Sequence, residues 1–242
     1  MSGAIVYVGG AFSRVGDSKI SNVAALDAQT AAPLGGWAPA ARVAKAGTVT
    51  ALAITGHRLL VGDQLGVEAL DSRTGRELVR ALPRFREANW GIGGVLVSAI
   101  AVAPSTIYVG GQFSHVGTKQ RTAVVALNSR KLRVTSWYPG FARVKSGPVA
   151  DCPLACPQVF AIALNAQRVY LAGAFTRTKL TRPEISVAAF DSATASPVGW
   201  SVPTAQIGEA QAIAFSRGAV AYGPGSCKGD EWSCTYPGHP GG

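Results

Sequence analysis

Apolar positions along this chain fall in short runs with a period of two, bounded by Gly, Pro, Asn and Asp. Four runs alternate alanine with a branched or aromatic residue: Val49-Thr50-Ala51-Leu52-Ala53-Ile54, Ser98-Ala99-Ile100-Ala101-Val102, Phe160-Ala161-Ile162-Ala163-Leu164 and Gln211-Ala212-Ile213-Ala214-Phe215. Period two predicts strands, and a small residue at every second position fits a strand crowded against its neighbours on one face. Between these runs a second pattern recurs as Val6-Tyr7-Val8-Gly9-Gly10-Ala11-Phe12, Ile107-Tyr108-Val109-Gly110-Gly111-Gln112-Phe113 and Val169-Tyr170-Leu171-Ala172-Gly173-Ala174-Phe175. A third follows in register as Ala25-Leu26-Asp27, Ala126-Leu127-Asn128 and Ala189-Phe190-Asp191, and Trp37, Trp137 and Trp200 close the three copies. No window of about 11 residues sustains helical periodicity.

The repeating unit therefore reads as four strands: the alanine-rich one, the Tyr-Val-Gly-Gly one, the Ala-Leu-Asp one and an outer one near the Trp. Unit starts near 49, 98, 160 and 212 give spacings of 49, 62 and 52 residues, which fit a four-stranded repeat with loop insertions. The expected fold is all-β, a β-propeller of four-stranded antiparallel blades with about five units. These lie near residues 4–40, 48–85, 97–140, 159–203 and 210–224, followed by a Gly/Pro-rich tail over 225–242. In the second unit, Leu60-Val61-Gly62-Asp63 leads to Ala69-Leu70-Asp71 almost at once, so the hairpin between its second and third strands is short. The chain opens on a second strand and its last unit stops after a second strand. Repeat phase thus predicts three full and two partial units, either a five-unit ring with imperfect closure or an arc of a larger propeller, of which the arc, with Met1 a truncated start, is favoured.

Composition adds bounds to this picture. The 242 residues are 48% hydrophobic and 15% charged, enough to bury a sizeable core in one domain. No stretch approaches the roughly 18 apolar residues of a membrane span. No basic stretch followed by an apolar segment marks a signal peptide at the start. The cysteines form two local pairs, Cys152 with Cys156 and Cys227 with Cys234. Local disulfides in an oxidising compartment are the favoured reading. Free thiols are the next, and a zinc site is disfavoured because structural zinc usually brings tighter C-x2-C knuckles.

The run Tyr-Val-Gly-Gly-x-Phe-x-x-Val-Gly, then Ala-Leu-Asp and a Trp-Pro or Trp-x-Pro outer strand, resembles the delta-sixty repeat of kelch-like, galactose-oxidase-like β-propellers in bacteria. The resemblance covers residues 4 to about 223 and is strongest over 6–39 and 107–139. It implies architecture and an extracellular or cell-surface setting within a larger multidomain chain, and no catalytic residues. A single stretch, Gly66 to Leu78, is similar to a quinoprotein-type propeller repeat, but Val79 or Arg80 stands where that motif carries tryptophan.

Most polar motifs have structural readings. Asp27, Asp71, Asn128 and Asp191 each end a strand before a turn, where an Asx side chain bonds backbone amides two residues on. The glycine pairs lack a following helix or Lys-Ser/Thr and fit close backbone approach better than phosphate binding. The tryptophans recur at one repeat position, which fits packing between blades. His57, His115 and His239 share no metal-ligand spacing, and no G-x-S-x-G elbow occurs. No catalytic residue, cofactor or metal site is therefore expected.

Charge carries the functional expectation. Formal net charge is +10. Cations fall in hairpins between second and third strands, at Arg14, Lys19, Lys119, Arg121, Arg177, Lys179 and Arg182, and in connectors at Arg42, Lys45, Arg84, Arg86, Arg143 and Lys145. In a propeller these hairpins and connectors share one face, which would attract polyanions; a solvated basic surface with no specific partner is the competing reading. The expected function is a non-catalytic extracellular binding scaffold for acidic polysaccharide or protein, as a monomer or part of a longer chain. The alternatives are a quinoprotein- or lyase-like enzyme domain and a purely structural spacer. Nucleic acid fits less well, because most aromatics lie in strands and no recognition helix is evident.

Overall fold

The protein is all-β and is described by a computed structural model over residues 4–45, 47–78, 82–86, 94–142, 157–177, 185–201, 210–216 and 219–224. In chain order its elements are β1 (Ile5–Gly9), β2 (Val23–Asp27), the single helical turn α1 (Ala41–Lys45), β3 (Ala51–Thr55), β4 (Arg58–Asp63), β5 (Gly66–Asp71) and β6 (Phe85–Arg86). They continue with β7 (Leu96–Val102), β8 (Thr106–Gln112), β9 (His115–Val116), β10 (Lys119–Gln120), β11 (Val124–Asn128) and β12 (Phe141–Ala142). The last are β13 (Gln158–Leu164), β14 (Arg168–Arg177), β15 (Ile185–Asp191), β16 (Pro197–Ser201), β17 (Ala210–Ser216) and β18 (Ala219–Pro224).

Sequence periodicity placed each alanine-rich run correctly. β3, β7, β13 and β17 are the runs, and each pairs antiparallel with the strand that follows it. The sheets are β1-β2, β3-β4-β5, β7-β8-β11, β13-β14-β15-β16 and β17-β18. The outer strand differs from expectation. In the first three sheets it shrinks to single bridges, Leu26 to Pro33, Leu70 to Glu77 and Leu127 to Val134. In the first unit the chain then leaves its sheet: the amides of Ala38 and Ala40 donate to the carbonyls of Thr74 and Gly75 in the second, both at 3.1 Å. The segment pairs with its neighbour instead of extending its own sheet.

The short hairpin of the second unit also holds. Asp63 Oδ1 accepts the amides of Leu65 at 2.6 Å and Gly66 at 3.1 Å, closing a tight turn between β4 and β5. A Cβ on Gly66 would stand 2.6 Å from Phe85 Cδ2, so glycine there lets the Phe85 ring close over the turn.

The hydrophobic core lies in layers between consecutive sheets. One layer joins Ala25, Trp37, Val49, Leu59, Val61 and Leu70 of the first and second units. The next joins Leu60 and Val67 to Val97, Ile107 and Val109, and the third joins Tyr108 and Trp137 to Leu171 and Phe190. Strand alternation explains this division, since Ile107 and Val109 face one neighbour while Tyr108 faces the other. Each sheet is thus apolar on both faces, and burial is complete only where it has a neighbour on both sides.

The layers are keyed by one recurrent small–large pair. A Cβ on Gly9 would lie 2.5 Å from Val49 Cγ1, one on Gly62 2.5 Å from Val97 Cγ1, and one on Gly110 2.6 Å from Val159 Cγ1. At the fourth boundary the pair changes to Ala172 against Ala210, packed in one buried cluster. One carbon is gained on one side and two are lost on the other, so the bulk moves from the inner strand toward its neighbour.

Candidate functional site

The side where hairpins meet connectors is the candidate site. Connector strand β6 pairs with β9 of the third unit's hairpin, Phe85 opposite Val116 and Arg86 opposite His115, and β9 pairs with β10. This small sheet brings Arg84, Arg86 and Lys119 together, all three exposed. Its frame is backbone: the Gly117 amide donates to the Arg84 carbonyl at 2.8 Å, and the Arg86 guanidinium to the Gly117 carbonyl at 2.7 Å. Beneath it, the Phe85 and Phe113 rings meet edge-on with centroids 5.0 Å apart.

The same arrangement recurs one unit on. β12 pairs with the end of β14, Phe141 opposite Arg177, and the Phe141 and Phe175 rings stack at 4.5 Å. The hairpin of the first unit carries Arg14 and Lys19 exposed around a Val15 to Ser18 bridge. Asn22 at its end donates Nδ2 to the carbonyl of Ala44 in α1 at 3.0 Å, which ties this hairpin to its connector as well. Lys179, Arg182, Arg143 and Lys145, and the cysteines Cys152, Cys156, Cys227 and Cys234, lie outside the described residues, as do the side chains of Arg42, Lys45 and Arg177.

Arg121 is half-buried, unlike the exposed Arg14, Lys19 and Lys119. Its guanidinium turns back onto its own unit, donating Nη1 to the Gln120 carbonyl at 2.8 Å and Nη2 to the Thr135 carbonyl at 2.9 Å. It also lies 4.8 Å from the Tyr138 ring centroid, a cation–π contact. The Tyr138 hydroxyl accepts the Thr122 amide at 3.0 Å, so Arg121 and Tyr138 together brace the strand leading out of the hairpin.

The turn aspartates are caps. Asp27 Oδ1 accepts the amides of Gln29 at 3.0 Å and Thr30 at 2.8 Å and the Thr30 hydroxyl at 2.9 Å. Asp71 and Asp191 repeat the pattern with Thr74 and Thr194, while Asn128 keeps the two amide bonds. Hydrogen bonds from the Thr30 amide and hydroxyl hold the Asp27 carboxyl below its ordinary range; the Thr74 hydroxyl leads for Asp71 and the Thr194 amide for Asp191. All three are occupied as acceptors at a turn, a poor arrangement for acid–base chemistry. Among the described residues no three His, Cys, Asp or Glu side chains gather to hold a metal ion.

The aromatic motif joins units. Trp37 Nε1 donates to the Ser72 carbonyl at 2.9 Å, and the Tyr7 hydroxyl donates to the same oxygen at 2.7 Å. In the third unit Trp137 Nε1 donates to the Asp191 carbonyl at 3.0 Å and the Tyr108 hydroxyl to the Ser192 carbonyl at 3.2 Å. Burial raises both phenols above their ordinary range, which keeps them protonated donors. The second unit lacks both residues, and Arg58 fills the role, donating Nη1 to the carbonyls of Ser129 at 2.8 Å and Arg130 at 3.1 Å. This replacement was not legible in the repeat pattern, because arginine shares neither shape nor hydropathy with the Tyr–Trp pair.

Sheet order and these latches define an all-β repeat protein in which each of the first three units grips the one after it. No protein-family model matches the chain, and no curated protein is significantly similar to it. Among solved structures, the crystal structure of the computationally designed Ika8 protein is similar at a TM-score of 0.52 and 14% identity, over 84% of this chain and 49% of that one. The designed Ika4 protein gives a TM-score of 0.44 at 15% identity, over 73% of this chain and 85% of that one. The chain thus spans about half the length of Ika8, and the likeness is one of fold alone. Among the described residues no helix is long and apolar enough to cross a membrane.

Proposed function

We propose that this chain is a non-catalytic repeat scaffold of the β-propeller kind, acting outside the cell or at its surface, that binds an acidic polysaccharide or acidic protein surface on its hairpin side. The observation that carries the reading is the β6-β9-β10 sheet, which gathers Arg84, Arg86 and Lys119, all exposed, on one small backbone-bonded frame, the two arginines on one face and Lys119 on the row of Val116. Clustered exposed cations raise the local concentration of anions and speed their encounter. Arg14 and Lys19 extend the same character to the first hairpin. The propeller assignment is supported by side-by-side packing of successive alanine-rich strands, β3 with β7, β7 with β13, and β13 with β17.

The test is a titration against neutral and acidic glycans at low and moderate salt, with Arg84→Gln/Lys119→Gln as comparison. Saturable binding to one acidic glycan that persists at moderate salt, and weakens several-fold in the variant at unchanged melting temperature, is the expected result. Binding that ignores glycan structure and vanishes with salt, or no binding, overturns the reading in favour of a structural spacer.

A further inference from the structure

The inner edge of β1 holds a prepared seat for a strand. In the second, third and fourth units the strand equivalent to β1 lies between two partners: β4 between β3 and β5, β8 between β7 and β11, β14 between β13 and β15. Among the described residues β1 pairs with β2 alone.

The second glycine of the Gly-Gly pair shows what belongs there. A Cβ on Gly111 would stand 1.9 Å from the Leu96 carbonyl oxygen and 2.9 Å from Val97 Cα; one on Gly173 would stand 2.1 Å from the Gln158 oxygen and 2.9 Å from Val159 Cα. In both cases a bulge in the inner strand, between Val97 and Ala99 or Val159 and Ala161, presses its backbone into the space the glycine leaves. Gly10 occupies the same repeat position. Among the described residues the nearest atom to a Cβ there is Phe12 Cδ1 of its own unit, at an ordinary 3.6 Å. Nor does the backbone call for glycine, since Gly10 is outside the left-handed region.

Val8, 38% exposed, and the half-buried Phe12 are open for a separate reason: their equivalents Val109 and Leu171 pack on a preceding unit, and Phe113 and Phe175 lie under the preceding connector's Phe85 and Phe141.

We propose that the inner edge of β1 binds an extended polypeptide segment as an added antiparallel strand, with small residues opposite Tyr7 and Gly9 and a branched apolar residue opposite Val8. The side-chain pattern follows from register: Ala101 and Ala163 face the equivalent tyrosines, Ala99 and Ala161 the positions of Gly9, and Ile100 and Ile162 the positions of Val8. Main-chain hydrogen bonds supply affinity and the alternating side chains supply selectivity. The site is independent of the basic face, so either can fail alone.

The test is fluorescence anisotropy with a labelled peptide carrying the Leu96–Val102 sequence between solubilising lysines, added to the full chain. Sedimentation runs in parallel. Saturable binding is expected, with no binding of a scrambled peptide and loss in a peptide N-methylated at the residue corresponding to Ala99. Gly10→Val should weaken binding at least tenfold while leaving the melting temperature unchanged, because a Cβ there makes only ordinary contact with Phe12 until the strand arrives. Absence of binding, equal binding by Gly10→Val, or a lowered melting temperature in that variant overturns the proposal. So does self-association that Gly10→Val abolishes and the peptide does not compete with, since the occupant is then a second copy.

Discussion

Trp37 and Ser72 belong to different units, yet the indole N–H of the first donates to the backbone carbonyl of the second at 2.9 Å, on an oxygen that also accepts the Tyr7 hydroxyl. The third unit reaches its neighbour with the same two side chains but divides them between the carbonyls of Asp191 and Ser192. One boundary has a shared acceptor and the other does not, and this difference is measurable.

Tyr7→Phe and Trp37→Phe should each cost about 1 kcal/mol from the lost hydrogen bond, with repacking of the smaller ring added for tryptophan. Either single change leaves the Ser72 oxygen one donor, whereas the double change removes both. Denaturant unfolding should therefore show a double-mutant coupling of roughly 0.5 kcal/mol or more at this boundary, and a smaller one for Tyr108→Phe with Trp137→Phe. Equal couplings would refute the shared-acceptor account.

Acid should weaken the turns that carry aspartate. Asp27, Asp71 and Asp191 have folded-state pKa values below their unfolded ones. Their contribution is fully present above the unfolded value of about 3.9, and is lost as pH falls through the lower folded value. The triple change to asparagine keeps an acceptor oxygen at each turn, as Asn128 does naturally, but cannot titrate. Melting temperature measured from pH 5 down to pH 2 should fall less steeply in that variant. Parallel curves would show that the caps do not titrate on unfolding.

Backbone strain at the turns gives a third expectation. Ala31 sits at a φ of 57° and is exposed, at the place where the second unit has Gly75 at 76°. Left-handed geometry costs a non-glycine residue roughly 1–2 kcal/mol, partly offset by the extra freedom glycine brings to the unfolded chain. Ala31→Gly should stabilise the protein by up to about 1 kcal/mol in denaturant unfolding. A fall in stability of that size would reject the strain argument.

How much was legible beforehand depends on the residue type. Alternating alanine announced β3, β7, β13 and β17, since period two survives whatever packs on the strand, and Asx residues at strand ends announced their caps. The pairing of β6 with β9 and of β12 with β14 was not foreseen. These are two-residue strands, too short to display a period, and their anchors Phe85 and Phe141 gain partners only in the fold, where Phe113 and Phe175 lie beneath them. Arg121 was misleading for a related reason: net charge says where a cation is in sequence, and gives no sign that carbonyls of Gln120 and Thr135 hold it.

The small–large key between layers can be rewritten. Gly110→Ala drives a methyl to 2.6 Å from Val159 Cγ1 and should cost roughly 1–3 kcal/mol as overpacking. Val159→Ala alone opens a cavity and should also destabilise. Together they recreate the Ala172–Ala210 arrangement, so the double variant should be more stable than the sum of the two losses implies, by about 1 kcal/mol or more in denaturant unfolding. Strict additivity would mean that the two positions do not answer to each other.

That key also makes the order of units part of the information in the chain. Three boundaries are written in glycine and valine and the fourth in alanine and alanine, so a strand like β13 could not follow Ala172, and one like β17 would sit loosely against Gly110. A repeat that grows by copying its units has to edit both sides of each new seam, and the fourth seam shows both sides changed together.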